Sequence, residues 1–434
     1  MIFKGKQQLQ ILVFTTLFLW LFFANNTVSG YCVFPGNSPT IESTSIKTGA
    51  EQFSQYIWRL KGKRVMIIAN QTSVVNGVHL VDTLLKLGIN ITGVFAPEHG
   101  FRGSAANGEH VSNQTDAKTG LPIYSLYGSN YKPTKAQLEN CDILVFDIQD
   151  VGVRFYTYLT TMHFAMQACS EYHKTFIVLD RPNPNGYFMD GPILQSGLES
   201  MVGVHPIPLV HGMTLGELSY MIIGERWLQI TIPNAVNKSK NPSKNLTSII
   251  KSEINDSLNL IVVPCKNWMR SQRYSVPIPP SPNLPTDNSI LLYPSLGLFE
   301  GTIMSMGRGT NKPFECFGAP WLKQGSYTFT PTDIQGKAIN PPYKNQLCRG
   351  VLLTDFGPSY LHNFKHLYLE WLVMLYDECP DSIKFFNPFF TKLIGNKEVQ
   401  KMIESGKDAN YIRNSWRNDI EVFENKRWKY LLYP

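Results

Sequence analysis

Four short apolar runs alternate with helix-like segments in the first half of the sequence, and this alternation constrains the fold more than any other feature. The runs are rich in β-branched residues and comprise VMIIAN (65–70), ITGVFA (91–96), ILVFDI (143–148) and TFIVLD (175–180). Continuous apolar strands that alternate with helices are typical of a parallel sheet with both faces covered. The sequence therefore predicts an α/β fold built on a parallel sheet.

Three segments near these runs carry apolar residues at helical spacing. They are HLVDTLLKLG (79–88), YTYLTTMHFAMQACSEYH (156–173) and MTLGELSYMIIGERWL (213–228). In the third segment, Thr214 and Glu217 match a capping box, in which each side chain bonds the other residue's backbone N–H. We therefore predict structural rather than catalytic roles for these two residues.

The chain length of 434 residues exceeds what one hydrophobic core usually serves, so two domains are expected. The first domain is predicted over residues 45–235. A polar stretch over 233–257, rich in Asn, Ser and Lys, is typical of a linker or an exposed insertion. The apolar run LNLIVVPC (258–265) then opens the second domain, predicted over 258–434. Within it, LHNFKHLYLEWLVMLYDEC (361–379) is predicted to form one amphipathic helix.

The N-terminus has the pattern of a signal peptide. Lys4 and Lys6 precede the apolar stretch ILVFTTLFLWLFF (11–23), and small residues follow at 28–30. The stretch is shorter than the roughly 20 residues that a membrane span requires. We therefore predict a signal peptide over residues 1–30 and no stable membrane span after its removal. The protein is then exported, to an extracellular, periplasmic or lysosomal location depending on the host. An uncleaved membrane anchor is the alternative.

The composition argues against several functional classes. The formal net charge is +7, but no basic run is dense enough for a nucleic-acid surface. No GxGxxG motif follows a strand, and no CxxC or HExxH spacing occurs, so neither a dinucleotide cofactor nor a metal is expected. The seven cysteines are too few for a disulfide scaffold at this length, and their pairing is left open.

Polar residues follow each of the four predicted strands at its carboxyl end. They occupy positions 70–72, 98–99, 147–154 and 180–183. In a parallel sheet these ends lie along one edge, where open α/β folds place their ligand crevice. Segments separated by more than a hundred residues are therefore expected to converge into one site.

Glu98 is the leading candidate for chemistry in the loop APEHGFRGSAANGEH (96–110). An acid at a strand end beside His99 has the arrangement of a general acid or base with a neighbouring proton-sharing group. The alternative is a solvated loop acid that pairs with Arg102, with His99 in a structural role.

The segment DIQDVGVRFYTY (147–158) contains several further candidates. One of its two acids, Asp147 and Asp150, is expected to cap the following helix. Tyr156 and Tyr158 either pack in the core or form the flat, hydroxyl-bearing surface typical of sugar sites. Gln149 and Arg154 lie in the same segment and are substrate-binding candidates.

Two loops complete the list of candidates. In DRPNPNG (180–186), Asn183 either directs its amide into the crevice or belongs to a rigid turn without a ligand. In MGRGT (306–310), Arg308 lies between two glycines, an arrangement that suits an anion but also an ordinary turn. Glu315 follows closely and strengthens the functional interpretation of this loop.

Taken together, these motifs resemble those of the peptidoglycan β-N-acetylmuramidase (NamZ) family. The motifs occur from about residue 45 to the C-terminus in the order APEHGFRG, TGLPIYSLYG, LVFDIQDVGVRFYTY, VLDRPNPNG, PLVHGMTLGEL, PPSPNLP, FEGTIMSMGRGTNKPFE and FGAPW. Each motif alone is weak, whereas the ordered set is highly specific. The resemblance implies a Rossmann-like N-terminal domain and a smaller C-terminal α/β domain that completes the cleft.

The resemblance also implies an activity and roles for residues. The activity is removal of terminal β-linked N-acetylmuramic acid from the non-reducing ends of peptidoglycan fragments. Such glycosidases generally need one carboxyl group as acid and a second as nucleophile or base. Glu98 is assigned the acid/base role, with His99 beside it. Asp147, Asp150 and Glu315 remain alternatives for the second carboxylate, and the substrate's own acetamide is a further alternative.

Substrate binding follows from the lactyl carboxylate that distinguishes muramic acid from glucosamine. A guanidinium suits this group, and Arg102, Arg154 and Arg308 are the candidates. The remaining residues expected to bind muramyl saccharides are Gln149, Tyr156, Tyr158, Asn183 and Thr310. A catalytically silent muramyl-glycan-binding protein is the competing hypothesis, and a nucleotide-dependent enzyme is disfavoured by the missing glycine-rich motif.

Overall fold

The computed structural model of the protein describes residues 45–98, 100–102, 114–128, 130–232, 258–354 and 356–434. The predicted signal peptide, the polar stretch over 233–257 and the candidate His99 lie outside the described residues. Within the described ranges, no helix is both long enough and apolar enough to cross a membrane.

A seven-stranded sheet forms the centre of the fold, with strand order β5-β6-β4-β1-β7-β8-β9. All neighbouring pairs are parallel except β5 and β6, which are antiparallel. The strands are β1 (Val65–Ala69), β4 (Ile91–Ala96), β5 (Gln114–Thr115), β6 (Pro122–Ser125), β7 (Ile143–Asp147), β8 (Thr175–Leu179) and β9 (Leu260–Val263), and the hairpin β2 (Val74–Val75) and β3 (Val78–His79) lies beside them. The predicted α/β fold and its four apolar strands are confirmed.

Alternate residues of the strands pack on opposite faces of this sheet, as period-two side-chain geometry requires. On β1, Met66 and Ile68 belong to one core cluster, whereas Val65 and Ile67 belong to another. Both clusters are buried, so the sheet is covered on both faces. The first cluster continues without interruption into the C-terminal helices, including Phe423.

The helices of six or more residues fall mainly where apolar periodicity predicts them. They are α1 (Phe53–Leu60), α2 (Leu80–Lys86), α3 (Tyr158–Glu171), α4 (Leu215–Gly224), α5 (Asp287–Leu296), α6 (Glu370–Glu378), α7 (Phe389–Ile394), α8 (Val399–Glu404), α9 (Ala409–Asn414) and α10 (Arg417–Arg427). Thr214 and Glu217 form the predicted capping box at the start of α4. Glu217 also pairs with Arg270 at 2.6 Å, which supports its structural role.

The predicted single helix over 361–379 is wrong. A π-helical turn over Gly357–Leu361 and a short helical turn over His362–Phe364 end at Lys365, which has a positive φ of 56°. The backbone N–H groups of the next residues donate to distant side chains, Leu367 to Asp190 at 2.7 Å and Tyr368 to Ser295 at 3.0 Å. These tertiary bonds replace helical ones, and the second helix, α6, begins only at Glu370.

The second half of the chain adds a three-stranded antiparallel sheet to the main sheet. It has the order β10-β12-β11 and consists of β10 (Cys316–Ala319), β11 (Tyr327–Phe329) and β12 (Cys348–Leu352). Strand β9 lies beyond the predicted boundary at 258, yet it pairs in parallel with β8 and so extends the first sheet. Residues Ser45–Pro434 form one compact unit, and their division into domains over 45–235 and 258–434 stays a prediction.

Candidate active site

A cavity of about 520 Å³ opens beyond the carboxyl ends of β4 and β7. Its described lining consists of Glu98, Tyr127, Gly128, Phe155, Tyr156, Thr157, Met201, Val202, Ser281, Asn283, Leu284, Tyr293, Glu300, Arg308, Phe314 and Phe389. The residues come from the strand-end loops of the main sheet and from segments around α5 and α7. The volume and the mixture of aromatic walls with few charged groups are typical of a small-ligand site.

Glu98 follows β4 by two residues and lies in the wall of this cavity, half-buried. Its carboxylate oxygen Oε2 accepts a hydrogen bond of 2.8 Å from the hydroxyl of Thr157, the residue that immediately precedes α3. The hydroxyl of Tyr127 also lies beside this carboxylate. Burial, and then the Glu98 charge, raise the pKa of Tyr127 to about 12. Two hydroxyl groups therefore orient Glu98 within the cavity.

Arg308 and Glu300 form an ion pair in the same cavity. The guanidinium Nε of Arg308 donates to Glu300 Oε1 at 2.7 Å, and its Nη2 donates to the same oxygen. The guanidinium carbon lies 5.0 Å from the ring centre of Phe314. Nη1 of Arg308 forms no hydrogen bond with any described residue, so one edge of the guanidinium is available to an anionic ligand.

Interlocking aromatic rings build one wall of the cavity. Tyr293 makes edge-to-face contacts with Phe155 at 5.2 Å, Tyr156 at 5.8 Å and Phe314 at 4.9 Å between ring centres. The hydroxyl of Tyr156 donates to the carbonyl of Pro280 at 2.9 Å and so already has a partner within the protein. Such contacts hold aromatic rings in fixed orientations.

The polar clusters at the strand ends come together as predicted. Their side chains, however, mostly form hydrogen bonds with one another and do not line the cavity. The Thr72 hydroxyl accepts from the backbone N–H of Gln149 at 3.0 Å, and the Ser73 hydroxyl donates to the carbonyl of Asp147. The Asn70 amide donates to the hydroxyl of Tyr158 at 3.0 Å. Most of these groups therefore form the framework behind the cavity.

Two predicted carboxylates have partners elsewhere. Asp147 is fully buried and paired with Arg181, with a distance of 2.6 Å from Arg181 Nε to Asp147 Oδ1. Glu315 accepts from the Thr286 hydroxyl at 2.7 Å and from the Asn288 amide at 3.2 Å. Neither lines the cavity among the described residues, so the structure does not bring them together with Glu98.

Two predicted arginines also have partners elsewhere. Arg102 pairs with Asp116 at 2.7 Å and with Asp82 at 3.1 Å. Arg154 is 1 % exposed and donates to four backbone carbonyls, those of Pro192, Ile207, Leu393 and Ile394. Since the carbonyls of Leu393 and Ile394 end α7, Arg154 caps that helix and does not reach the cavity.

The predicted substrate-binding residues Gln149 and Asn183 also have hydrogen-bond partners within the protein framework. The amide of Gln149 donates to the carbonyls of Asp150 and Pro182, both at 2.8 Å, and that of Asn183 donates to Met213 at 2.8 Å. An added Cβ at Gly152, which has a φ of +76°, would lie 2.1 Å from Asn183 Oδ1. Asn183 therefore packs against the DIQDVG loop.

Thr310 and Tyr158 stand just outside the cavity lining. The Thr310 hydroxyl donates to the carbonyl of Gly307 at 2.7 Å and so closes the turn that carries Arg308. The Tyr158 hydroxyl donates to the carbonyl of Pro280 at 3.2 Å. Of the described residues predicted for the site, Glu98, Tyr156 and Arg308 line the cavity. The catalytic and binding roles of the whole set stay predictions.

Several cavity residues were missed by the sequence analysis. They include Tyr127, Thr157, Ser281, Asn283, Tyr293 and Glu300. Five of these six residues, all except Tyr293, lie in the motifs TGLPIYSLYG, LVFDIQDVGVRFYTY, PPSPNLP and FEGTIMSMGRGTNKPFE, which were the available signal. Among the described residues, no group of three His, Cys, Asp or Glu side chains is arranged to hold a metal, and six cysteines are free thiols.

Asp150 is a buried carboxylate behind the aromatic wall. Its Oδ2 accepts from the backbone N–H of Gly152 at 2.7 Å, whereas Oδ1 has no hydrogen-bond partner among the described residues. Burial raises its pKa to about 7, against a smaller opposite effect of the backbone N–H groups of Gly152 and Val151. The carboxyl is therefore stable in its protonated form.

We expect Asp150→Asn to remove a pH-dependent loss of stability. The folded-state pKa lies above the unfolded value, so the wild type loses stability as pH rises from about 4 to about 7. Over these three pH units the loss in the free energy of unfolding is at most roughly 4 kcal/mol. Urea unfolding measures the free energy of unfolding at pH 5 and at pH 8. Relative to the wild type, the variant should be more stable at pH 8 than at pH 5. The exposed Asp381→Asn serves as control, and equal gains in both variants would contradict the prediction.

Comparison with known proteins identifies relatives along nearly the whole chain. The family model described as exo-β-N-acetylmuramidase NamZ, N-terminal, matches residues 65–288, and the corresponding C-terminal model matches 291–433. The chain is 38 % identical over 413 residues to the peptidoglycan β-N-acetylmuramidase NamZ of Bacillus subtilis (strain 168), covering 91 % of this chain and 93 % of that protein.

Two crystal structures from Bacteroides fragilis NCTC 9343, both of DUF1343 family proteins, share the fold. One has a TM-score of 0.77 and 44 % sequence identity, and the other has a TM-score of 0.71 and 30 % identity. Each comparison covers 90 % of this chain and 99 % of the other. The agreement extends over both halves of the chain.

Proposed function

The chain belongs to the exo-β-N-acetylmuramidase NamZ family and is a glycoside hydrolase, and from this premise we propose how its cavity releases N-acetylmuramic acid. The substrate is a peptidoglycan fragment that carries this sugar at its non-reducing end in β-linkage. The observation that carries the mechanism is that Glu98 and the Arg308–Glu300 pair line one cavity.

Glu98 acts as the general acid that protonates the glycosidic oxygen as the bond breaks. Its hydrogen bond from Thr157 and the neighbouring Tyr127 hydroxyl support this role, because they hold the carboxyl group in one orientation while it faces the cavity. A positioned acid contributes roughly 10²–10⁴-fold to such a reaction. The terminal sugar then lies with its C1 atom beside Glu98.

Arg308 binds the lactyl carboxylate on C3 of the sugar through its free Nη1. Support comes from the other two arginines considered for this role, since Arg102 is paired with two aspartates and Arg154 is used by four carbonyls. Glu300 holds the guanidinium in place through Nε and Nη2. This arrangement explains recognition of a muramyl rather than a glucosaminyl sugar.

Glu300 is also our candidate for the second carboxylate of the reaction. Among the described residues of the lining, Glu98 and Glu300 are the acidic side chains. The second carboxylate acts as a base in an inverting reaction and as a nucleophile in a retaining one. Proton NMR of the first product formed will decide between retention and inversion at C1, which distinguishes the two roles.

Hydrolysis of 4-nitrophenyl β-N-acetylmuraminide by the purified protein tests the proposed function. We expect release of nitrophenol, and release of N-acetylmuramic acid as a monosaccharide from a disaccharide with this sugar at its non-reducing end. A disaccharide with N-acetylglucosamine at that end should remain intact. The competing hypothesis of a silent binding protein predicts saturable binding of the muraminide without turnover, which calorimetry would detect.

We expect Arg308→Met to raise KM for the muraminide about 10- to 100-fold. The variant loses a charge-assisted hydrogen bond, which is worth about 1.5–3 kcal/mol. Affinity for N-acetylglucosamine, which lacks the lactyl group and whose binding calorimetry measures without turnover, should change little by comparison. Lys312→Met in the same loop is the matched control, since Lys312 pairs with Glu315 outside the cavity. An equal loss in the muraminide KM and in the affinity for N-acetylglucosamine would indicate a purely structural role for Arg308.

Export of the protein is part of the proposal. The charged and apolar pattern over residues 1–30 supports a signal peptide, and peptidoglycan fragments are found outside the cytoplasm of the cells that make them. Expression in an exporting host, with and without residues 1–30, followed by N-terminal sequencing of the exported protein, will test it. Retention of the intact N-terminus in the membrane fraction would instead favour an anchor.

A further inference from the structure

Tyr293 carries a hydroxyl group that the protein itself does not use. The residue lies in α5, lines the cavity and is only 7 % exposed. Its hydroxyl forms no hydrogen bond with any of the described residues. Buried hydroxyl groups normally have a partner, so an unpartnered one in a cavity wall indicates a polar group on the ligand.

The orientation of Tyr293 is determined by its surroundings. Three edge-to-face contacts, with Phe155, Tyr156 and Phe314, hold the ring. The charges of Glu300, Arg308 and Glu98 all act on the hydroxyl. Burial and the Glu300 carboxylate raise the pKa of this phenol well above its ordinary value, so it remains a hydrogen-bond donor across the physiological range.

Asn283 supplies the complementary group. Its side-chain Nδ2 donates to the carbonyl of Lys337 at 2.8 Å, which determines which end of the amide is the oxygen. The residue is 2 % exposed and lines the cavity, and its Oδ1 has no hydrogen-bond partner among the residues the structure describes. Asn283 therefore offers the cavity an acceptor, beside the apolar side chain of Leu284.

A donor and an acceptor together suit a secondary amide, which has one C=O and one N–H. On the proposed substrate, Glu98 faces C1 and Arg308 faces the lactyl group on C3. The charges of Glu98 and Arg308 both act on the Tyr293 hydroxyl, so we place Tyr293 beside the carbon between C1 and C3. That carbon is C2, and its substituent in N-acetylmuramic acid is the acetamide.

We propose that Tyr293 and Asn283 are the specificity-determining residues for the 2-acetamido group. The Tyr293 hydroxyl donates to the acetamide carbonyl, and Asn283 Oδ1 accepts from the acetamide N–H. The acetyl methyl group packs on Leu284. This inference rests on the proposed function, because the positions of C1 and C3 are taken from it.

Calorimetric titration with two monosaccharides tests the proposal without turnover. One is N-acetylmuramic acid, and the other is 3-O-lactylglucose, in which a hydroxyl replaces the acetamide and no charge is added. We expect the wild type to prefer N-acetylmuramic acid, and Tyr293→Phe to reduce this preference about tenfold or more. Tyr411→Phe is the control, since it removes the hydroxyl of an exposed tyrosine that is not part of the cavity lining.

The outcomes separate the inference from the proposed function. An unchanged preference in a folded Tyr293→Phe variant, or no preference in the wild type, overturns the inference even if the muraminide is hydrolysed. Absence of hydrolysis with a preference that depends on Tyr293 overturns the proposed activity alone. Asn283→Ala provides a second measurement, with affinity for N-acetylmuramic acid expected to fall about tenfold, and an unchanged affinity would remove Asn283 from the acetamide site.

Discussion

Replacement of Glu98 by glutamine is expected to lower kcat on a muramyl disaccharide by about 10²–10⁴-fold. Glutamine preserves the shape of the side chain and can still accept the hydrogen bond from Thr157, which measures 2.8 Å in the wild type. It cannot donate a proton to the glycosidic oxygen. The loss should therefore appear in kcat, while KM and thermal stability change little.

The dependence on the leaving group identifies the role of Glu98. A 2,4-dinitrophenolate is a good leaving group and departs without being protonated. A sugar is a poor leaving group, and its oxygen has to be protonated as the glycosidic bond breaks. We expect the loss caused by Glu98→Gln to be large for the disaccharide and much smaller for 2,4-dinitrophenyl β-N-acetylmuraminide. Glu139→Gln, at an exposed position, is the control. A loss of the same size on both substrates would exclude the general-acid role.

Replacement of Arg154 by methionine is expected to destabilise the protein by about 3–5 kcal/mol. Arg154 is 1 % exposed, and its guanidinium bonds four backbone carbonyls at 2.7 to 3.3 Å. Loss of a buried charged donor leaves these acceptors without a partner in a water-poor interior. An added Cβ at Gly395, the residue after α7, would lie 2.3 Å from Arg154 Nη2, so the site is closely packed.

Urea denaturation of Arg154→Met, Arg154→Lys and the wild type measures this effect. Lysine retains donors but not the planar fork, so an intermediate loss is expected. Arg349→Met is the matched control, because Arg349 is exposed and donates to one carbonyl, that of Lys323, at 3.2 Å. A raised KM for the muraminide with unchanged stability in Arg154→Lys would instead support the substrate-binding role predicted from sequence.

Expectations drawn from local pattern agree well with the structure. Val65–Ala69 and Ile143–Asp147 are strands because continuous apolar runs are stable when both faces of a sheet are covered. The cap of α4 by Thr214 depends only on residues three positions apart. The helix predicted over 361–379 failed because Asp190 and Ser295, both remote in sequence, bond its backbone.

The selection of site residues could not be made from the sequence, because it depends on which charged groups meet in space. From the sequence alone, Arg102, Arg154 and Arg308 were equivalent candidates for binding the lactyl carboxylate. Two of them have partners that lie outside the cavity, and the third faces it with one edge free. Glu300 was overlooked for the same reason, since its partner Arg308 and the neighbouring cavity define its role.

The sequence by itself determined the parallel α/β sheet, the membership of the family and the position of Glu98 at a strand end, because these depend on short-range periodicity and on ordered motifs. The tertiary structure alone decided that Asp147 and Glu315 are bound within the framework and that Glu300, Asn283 and Tyr293 line the cavity. The physical reason is that a buried polar side chain acquires its function from the partner it meets or lacks, and such partners come from distant segments.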